Sequence, residues 1–231
     1  MNVRHLTQQL CPIQVALLKE QVMLVDKTDN ILGPASKEES HLLENIKEKG
    51  MLHRAFSLFL FNTDNQLMMQ QRSGEKITFP NLYTNTCCSH PLYTIPAEQD
   101  PIAGIKCAAI RRIEQELGIT GINLQDINCM TRIIYYGESD TEWGEHELDH
   151  VLIVKKDVKY CPNPNEVRDV HFIHKYELDE FLSNGEQFPV TPWFRIIAHS
   201  NSMLRKWWDS IDDLDELVDT SIHEFSYPPS S

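Results

Sequence analysis

The chain has 231 residues, 41% hydrophobic and 24% charged, with a formal net charge of −13 at pH 7. That length supports one sizeable core, as one large domain or two small ones, and the composition is ordinary for a globular protein. The acidic balance argues against general binding to nucleic acid or to an anionic membrane, although a local basic cluster could still hold a small anion.

No apolar run approaches the length of a membrane-spanning helix, and Met1 to Gln9 carries Arg4 and His5 without an apolar segment behind it, so no secretory signal is expected. Pro12 limits where a first helix, running to about Leu18, can start. Gln21 to Val25 reads as a strand, Asp26 to Asn30 as a turn, and Ile31 to Ser36 as a second extended run. Lys37 to Gly50 is helix-permissive or a loop and carries Lys37 and His41. Arg54 to Phe61 is the strongest strand of the chain; with Leu67 to Arg72 it forms an expected hairpin, followed by a polar loop from Ser73 to Pro80.

Thr84-Asn85-Thr86-Cys87-Cys88-Ser89-His90-Pro91 concentrates a thiol, an imidazole and hydroxyls in eight residues. In an extended run Cys88 and His90 share one face, and Cys87 and Ser89 the other. Pro101 is placed to open a helix in which Ile102, Ile105, Ala109, Ile113 and Leu117 form the buried stripe and Gly118 the end. Arg112 and Glu116 lie on its border. Strands follow at Asn128 to Tyr136, at Glu147 to Val154 and at Val167 to Ile173, with a short helix over Tyr176 to Leu182. Trp143-Gly144-Glu145-His146-Glu147 leads into the second of these strands and puts Glu145 and Glu147 on one face. Thr191-Pro192 caps an aromatic-rich helix predicted to reach Trp208, and Ile211 to Val218 reads as a last acidic helix. The expected organisation is an N-terminal extension (1–20), one α+β domain (21–210), and a C-terminal helix and tail (211–231).

Six cysteines (Cys11, Cys87, Cys88, Cys107, Cys129 and Cys161) are scattered without a disulfide rhythm, which points to reduced thiols and a cytoplasmic location. The tail Ser226 to Ser231 is expected to be frayed and is not a peroxisomal Ser-Lys-Leu address.

His53 and His90 sit beside strands that can converge, and with His41, Glu145 and Glu147 they suit a borderline divalent ion such as zinc or manganese. The remaining histidines, including His146 and His150, read as structural. A free cysteine is most often a buried small hydrophobe, the role given to Cys87; Cys88, sharing a face with His90, is the functional candidate. Lys37, Arg72, Lys76 and Arg112 form a basic set that could clamp a diphosphate. Glu116 is either an ion-pair partner of Arg112 or a ligand for a magnesium ion bridging phosphate oxygens.

Arg111-Arg112-Ile113-Glu114-Gln115-Glu116-Leu117-Gly118-Ile119 resembles the end of a Nudix box, with Arg112 in place of the first glutamate and Gln115 in place of one of the central pair. Nudix hydrolases use those carboxylates for metal-assisted attack of water on a diphosphate. Together with His53-Arg54-Ala55-Phe56-Ser57, Gln70-Gln71-Arg72-Ser73, Ile77-Thr78-Phe79-Pro80, the thiol stretch, Trp143 to Glu147 and Thr191 to Phe194, the segment resembles type 1 isopentenyl-diphosphate Δ-isomerase over about Met23 to Trp208. The resemblance implies a Nudix-like fold of mixed β-sheets between α-helices. It implies Cys88 and Glu147 as the catalytic pair, with Tyr135 able to relay a proton. It implies His41, His53, His90, Glu145 and Glu147 as ligands of one Zn²⁺, Mn²⁺ or Mg²⁺, and Glu116 as a ligand of a Mg²⁺ carried by the substrate. Lys37, Arg72, Lys76, Arg112 and, more weakly, Ser89 would hold the diphosphate, while Trp193 and Tyr135 line an isoprenyl pocket.

The implied activity is the interconversion of isopentenyl and dimethylallyl diphosphate through a tertiary carbocation, by a monomer that needs no nucleic acid or membrane. The alternatives are a Nudix-type diphosphohydrolase, weakened by Arg112 and Gln115, and a non-enzymatic module built on a structural metal, which leaves Cys88 and the basic set without a role.

Overall fold

The structure is a computed structural model in which residues 11–185, 187–199 and 203–225 are described. A short helix, α1 (Pro12–Leu17), precedes a hairpin of β1 (Gln21–Val25) and β2 (Ile31–Ser36); the first ten residues lie outside the described residues. Two helices follow, α2 (Lys37–His41) and α3 (Leu43–Lys49), then β3 (His53–Phe61), β4 (Leu67–Arg72), β5 (Tyr83–Thr84), β6 (Cys87–Ser89) and the long helix α4 (Ala103–Leu117). The second half comprises β7 (Ile127–Glu138), β8 (Gly144–Lys155), β9 (Val167–Ile173), α5 (Leu178–Ser183), α6 (Pro192–His199), α7 (Met203–Asp209) and β10 (Ile222–Phe225).

The strands form a mixed sheet in the order β10-β7-β8-β3-β1-β2, with β6 and β4 also pairing with β3, and β5 and β9 with β4. At its centre β3 runs parallel to β8, with His53 opposite Glu147 and Phe61 opposite Lys155. All nine residues of β3 are buried because helices cover both faces. Phe56, Leu58 and Leu60 pack with Ile105, Ala109, Ile113 and Leu117 of α4. The alternate residues Phe59 and Phe61 pack with Trp193, Phe194, Ile197, Trp207 and Trp208 of α6 and α7. This is a single α+β domain, as the sequence led us to expect.

Local chemistry explains most of the element ends. Ser36 and Glu39 form a reciprocal capping box at α2, Ser36 Oγ accepting from Glu39 N at 3.1 Å. Leu42 then turns extended, so the expected single span from Lys37 to Gly50 is two helices, the second closed by Gly50 in the left-handed region. Gly118 (φ 64°) closes α4 in the same way.

Two expectations are corrected. Pro101 does not begin α4: it lies in a turn, and the Asp100 carboxylate accepts from the amides of Ile102 and Ala103 at 2.9 and 2.7 Å, moving the start to Ala103. Ile102 therefore leaves the buried stripe and is 59% exposed, whereas Arg112 and Glu116, expected on its border, are buried. The expected aromatic helix is present as α6 and α7, and residues 200–202 between them lie outside the described residues. The expected acidic helix from Ile211 to Val218, the core of the C-terminal unit, is a 3₁₀ turn at Asp215–Leu217 leading into β10. Ile211 and Leu214 sink into the core, and the Asp219 amide donates to Met130 O at 2.7 Å, drawing the chain onto β7, beside which β10 pairs in parallel. No helix among the described residues is long and apolar enough to cross a membrane.

Beneath the sheet, Arg54 is buried and donates through Nε to Asp29 Oδ1 at 2.7 Å and through Nη2 to Asp29 O at 2.6 Å, while His150 Nε2 lies 2.9 Å from Asp29 Oδ2. Burial pushes the Asp29 carboxyl up, but His150 and Arg54 together outweigh it and the net shift is downward. Asp29 has a φ of 71°, a conformation asparagine also adopts easily. Asp29→Asn therefore removes the charge without straining the turn, and leaves the buried guanidinium uncompensated. We expect it to lower unfolding stability by about 3 kcal/mol, read as a fall in the urea midpoint at unchanged slope.

Candidate active site

The polar side chains of the sheet gather at the N-terminal ends of β3 and β8. Strand alternation puts His53 and Ser57 of β3 on the face covered by α6, and the parallel register sets Glu147 beside His53 and Asp149 beside Ala55. On β7, Tyr135 pairs with Glu147, and on β6 Cys88 pairs with Ser57. The resulting cleft is narrow and is lined among others by Lys37, His41, Arg72, Lys76, Cys88, Ser89, His90, Glu145, Glu147 and Trp193. Cys87 points the other way, into the core beneath α4, as the alternation requires. Ser89 reaches the cleft as well because β6 ends there.

One ligand atom from each of His41, His53, His90 and Glu147 falls within 4.8 Å of the others. His90 Nε2 lies 2.7 Å from Glu147 Oε1 and 3.2 Å from His53 Nε2, so two imidazoles and a carboxylate converge. Lys37 O, 2.7 Å from His41 Nδ1, can only accept, which puts the His41 proton on Nδ1 and leaves Nε2 with a bare lone pair. That Nε2 is buried and without a hydrogen-bond partner among the described residues. Burial drives the His41 imidazole well below its usual range, and burial likewise takes His90 down to about 3 despite the pull of Glu147. Neutral nitrogens facing an ionised carboxylate are what a divalent cation requires, and the second-atom hydrogen bond that orients His41 is typical of metal-bound histidine. The residues fit such an ion.

Glu145 stands outside this set of four. It joins the cluster through Tyr135, whose hydroxyl lies 2.8 Å from Glu145 Oε2 and 2.5 Å from Glu147 Oε2, and it accepts from Thr78 Oγ1 at 2.7 Å. One phenolic proton cannot serve two carboxylates. Burial and the Glu147 charge raise Glu145, whereas at Glu147 the upward push of burial is more than offset by hydrogen bonds from His53 and His90. Glu147 is the carboxylate of the pair, and Glu145 is the one placed to hold a proton. Burial, Glu145 and Glu147 raise the Tyr135 hydroxyl well above its usual range, so it stays a donor.

Around the thiol, Trp193 Nε1 donates to Cys88 Sγ at 2.9 Å, and Ser57 Oγ lies 3.6 Å away while donating to Asp149 Oδ2 at 2.6 Å. Burial pushes the Cys88 thiol far up, so it is held as the neutral thiol. Arg72 donates to the carbonyl oxygens of Thr78 and Phe79, and its guanidinium carbon sits 5.5 Å from the Trp193 ring centroid.

Lys37 and Lys76 line the same cleft, and Arg112 stands behind it. Lys76 pairs with Glu166 at 2.5 Å, and Arg112 with Glu116 at 2.5 Å and with Glu166 at 3.4 Å. Four predicted residues, His53, Tyr135, Arg112 and Glu116, do not line the cleft wall; His53 and Tyr135 reach it through Glu147, whereas Glu116 is taken up by Arg112 and Gln70, outside the histidine cluster. Burial, reinforced by Lys76 and Arg112, lowers the Lys37 ammonium to about 8.

Sequence reading passed over Asp149, Thr78, Glu166 and Asn85. Asp149 was accessible to it, since the alternation that paired Glu145 with Glu147 continues to 149. Glu166 gave no local signal, because it meets Lys76 and Arg112 only through the fold. Gln14 of α1, which donates to Glu166 Oε1 at 3.0 Å, is a third partner of this kind.

Residues 51–194 match the NUDIX domain, a span of more than half the chain, so the fold and the cleft are those of a Nudix-superfamily protein. The chain is 47% identical over 218 residues to isopentenyl-diphosphate Delta-isomerase 1 of Bos taurus, covering 92% of this chain and 95% of that one. It is 44% identical over 224 residues to isopentenyl-diphosphate Delta-isomerase of Dictyostelium discoideum, covering 92% of each. It is also 42% identical to the chloroplastic isopentenyl-diphosphate Delta-isomerase II of Arabidopsis thaliana, over 85% of this chain and 71% of that one. Within the Nudix superfamily, the chain belongs to the isopentenyl-diphosphate Δ-isomerase family.

A cation that binds only the folded histidine cluster must stabilise the fold. At 100 times its dissociation constant the gain is about 2.7 kcal/mol. Adding Mn²⁺ or Zn²⁺ to chelator-treated protein is expected to raise the urea midpoint accordingly, and His90→Ala is expected to abolish the rise.

Proposed function

We propose that the chain interconverts isopentenyl diphosphate and dimethylallyl diphosphate by protonation and deprotonation, passing through a tertiary carbocation. The observation that carries this reading is the pairing, in one cleft, of a neutral thiol on β6 with an ionised carboxylate on β8 beside a buried indole. Moving an unactivated double bond adds a proton at one carbon and removes one from another. Cys88 and Glu147 supply the two sites; because the reaction runs both ways, the group that donates in one direction accepts in the other.

Tyr135, bonded to both carboxylates, can relay a proton to or from Glu147. Its ring centroid is 5.9 Å from that of Trp193, and the two ring systems offer π density to a cation, worth about 2 kcal/mol or more where water is excluded. Trp193 rides at the start of α6 and is buried, so that helix also serves as the cover that keeps water from quenching the cation. Lys37, Arg72 and Lys76 in the same cleft hold the diphosphate, with Ser89 beside the thiol, and that binding energy, made away from the reacting carbons, fixes the five-carbon chain between the two proton sites.

His41, His53, His90 and Glu147, with Glu145 adjacent, would hold Zn²⁺, Mn²⁺ or Mg²⁺. When bound, the ion supplies positive charge that tunes the proton affinity of the carboxylate cluster. Arg112 and Glu116 stand behind the clamp, with Glu116 the candidate to meet Mg²⁺ carried by the substrate. The diphosphohydrolase alternative is not favoured: Arg112 replaces a carboxylate of the Nudix box and ties up Glu116, while Glu114 and Gln115 are exposed.

Incubation with isopentenyl diphosphate and Mg²⁺ in deuterated water, followed by NMR, is expected to yield deuterated dimethylallyl diphosphate. Cys88→Ala and Glu147→Gln should each reduce turnover at least about 100-fold while the protein stays folded. Release of inorganic phosphate with the carbon skeleton unchanged would sink the isomerase reading.

Lys37 gives a pH signature. It carries its charge below about 8 and loses it above, so diphosphate affinity should weaken as pH rises through that value in the free protein. KM is expected to climb above this pH. Lys37→Arg, charged throughout, should flatten the climb.

A further inference from the structure

Asn85 is fully buried between β5 and β6 and takes no part in the proton transfers described above. Its Nδ2 donates to Leu58 O at 2.9 Å and to Cys87 O at 3.2 Å. Carbonyl oxygens only accept, so these partners fix which end of the amide is NH₂ and leave no freedom to flip it. Oδ1 consequently faces three donors: the Thr84 hydroxyl and the Cys88 thiol, both at 2.9 Å, and the Trp193 indole N–H at 3.1 Å.

The direction of the thiol proton follows from the same chemistry. The indole N–H, shared between Asn85 Oδ1 and Cys88 Sγ, can only donate, so at 2.9 Å it faces a sulfur lone pair. The two nearby hydroxyls are farther, Ser57 Oγ at 3.6 Å and Thr84 Oγ1 at 3.7 Å, and their own protons go to Asp149 and Asn85. Asn85 Oδ1, a pure acceptor at 2.9 Å, is left as the partner for S–H. The hub also reaches the covering helix, because Thr191, immediately before α6, donates to Thr84 Oγ1 at 2.9 Å.

We propose that Asn85 is the positioning residue of this site: its Oδ1 sets the heading of the Cys88 S–H and ties the Trp193 indole to the sulfur, so that proton donor and cation-facing ring keep one mutual geometry. The proposal rests on the isomerase reading for its effect on turnover, though not for its structural content. A misdirected S–H would still leave the diphosphate clamp intact, which separates the step affected, kcat, from substrate affinity.

Two spectroscopic signals read the hub directly. The infrared S–H band of Cys88, isolated as parent minus Cys88→Ala, should lie below the frequency of an unbonded thiol. The ¹⁵N-indole resonance of Trp193, assigned by its loss in Trp193→Phe, should move in Asn85→Ala, and the S–H band should rise toward the unbonded position. With isopentenyl diphosphate and Mg²⁺, Asn85→Ala should lower kcat about tenfold, the scale of one lost hydrogen bond, with KM held within about twofold. A general loss of packing would lower stability without moving both signals. Should Asn85→Ala fail to fold, the parent's S–H band decides alone. An unbonded frequency there, or both signals unmoved in a folded Asn85→Ala, overturns the proposal. Absence of turnover in the parent would count against the isomerase reading and leave the spectra to judge Asn85.

Discussion

The site depends on the parallel pairing of β3 with β8 in a single register, His53 opposite Glu147. Side chains alternate faces with a period of two, so a slip of one residue would send Glu145, Glu147 and Asp149 toward α4 and bring His146, Leu148 and His150 into the cleft. The register is secured by the apolar end of the same strands. Phe59, Phe61, Val151 and Ile153 fill the core under α6 and α7, while Phe56, Leu58, Leu60, Leu152 and Val154 fill the one under α4. The pairing that buries these residues is the one that lines up the chemical groups a few residues earlier, so packing and function are specified together.

The same arrangement concentrates charge where charge is costly. Glu145, Glu147 and Asp149 are buried in sequence along one strand face. Burial and mutual repulsion keep Glu145 and Asp149 toward their protonated forms and leave Glu147, with hydrogen bonds from His53 and His90, as the ionised member. Lys76 and Arg112 repel the Lys37 ammonium, and Glu166 moderates them. Its carboxyl is held down to about 2, the upward push of burial being outweighed by Lys76 and Arg112. The cleft therefore sets a group of cations beside a cluster of buried carboxylates and imidazoles, with Trp193 at its wall.

What the sequence made legible was periodic. The run from His53 to Phe61, the alternation of Cys88 with His90 and of Glu145 with Glu147, and the helix ended by Gly118 all carry their structure in local spacing, and those elements are present. What it hid was settled by tertiary contact. The 211–218 segment has a helix-permissive composition but is captured by the edge of β7, and Pro101 is a good first helical residue that loses to the Asp100 side-chain cap. Asn85 sat in the most closely read stretch of the chain. Its role appears only when Leu58, Trp193 and Thr84 are seen around it, since an amide's function lies in partners that no spacing rule locates.

The departure of this chain from the Nudix box acquires a physical sense from the fold. A hydrolase needs several carboxylates of the box helix to gather cations against a diphosphate. Here α4 presents Arg112 among them, bonded to Glu116 and close to Glu166, while Glu114 and Gln115 face outward. That exchange replaces a carboxylate of the box helix with a cation that neutralises Glu116 and Glu166 behind the cleft. The acidic, cation-binding work passes to the sheet, where His53, Glu145 and Glu147 project beside a thiol that the hydrolytic reaction does not require. A water nucleophile needs a hydrated, metal-rich channel, whereas a carbocation needs water excluded, and α6 lays Trp193 over Cys88. Moving the charged chemistry from helix to sheet thus fits the Nudix scaffold to the proposed isomerisation, in which the diphosphate is a handle rather than the point of attack.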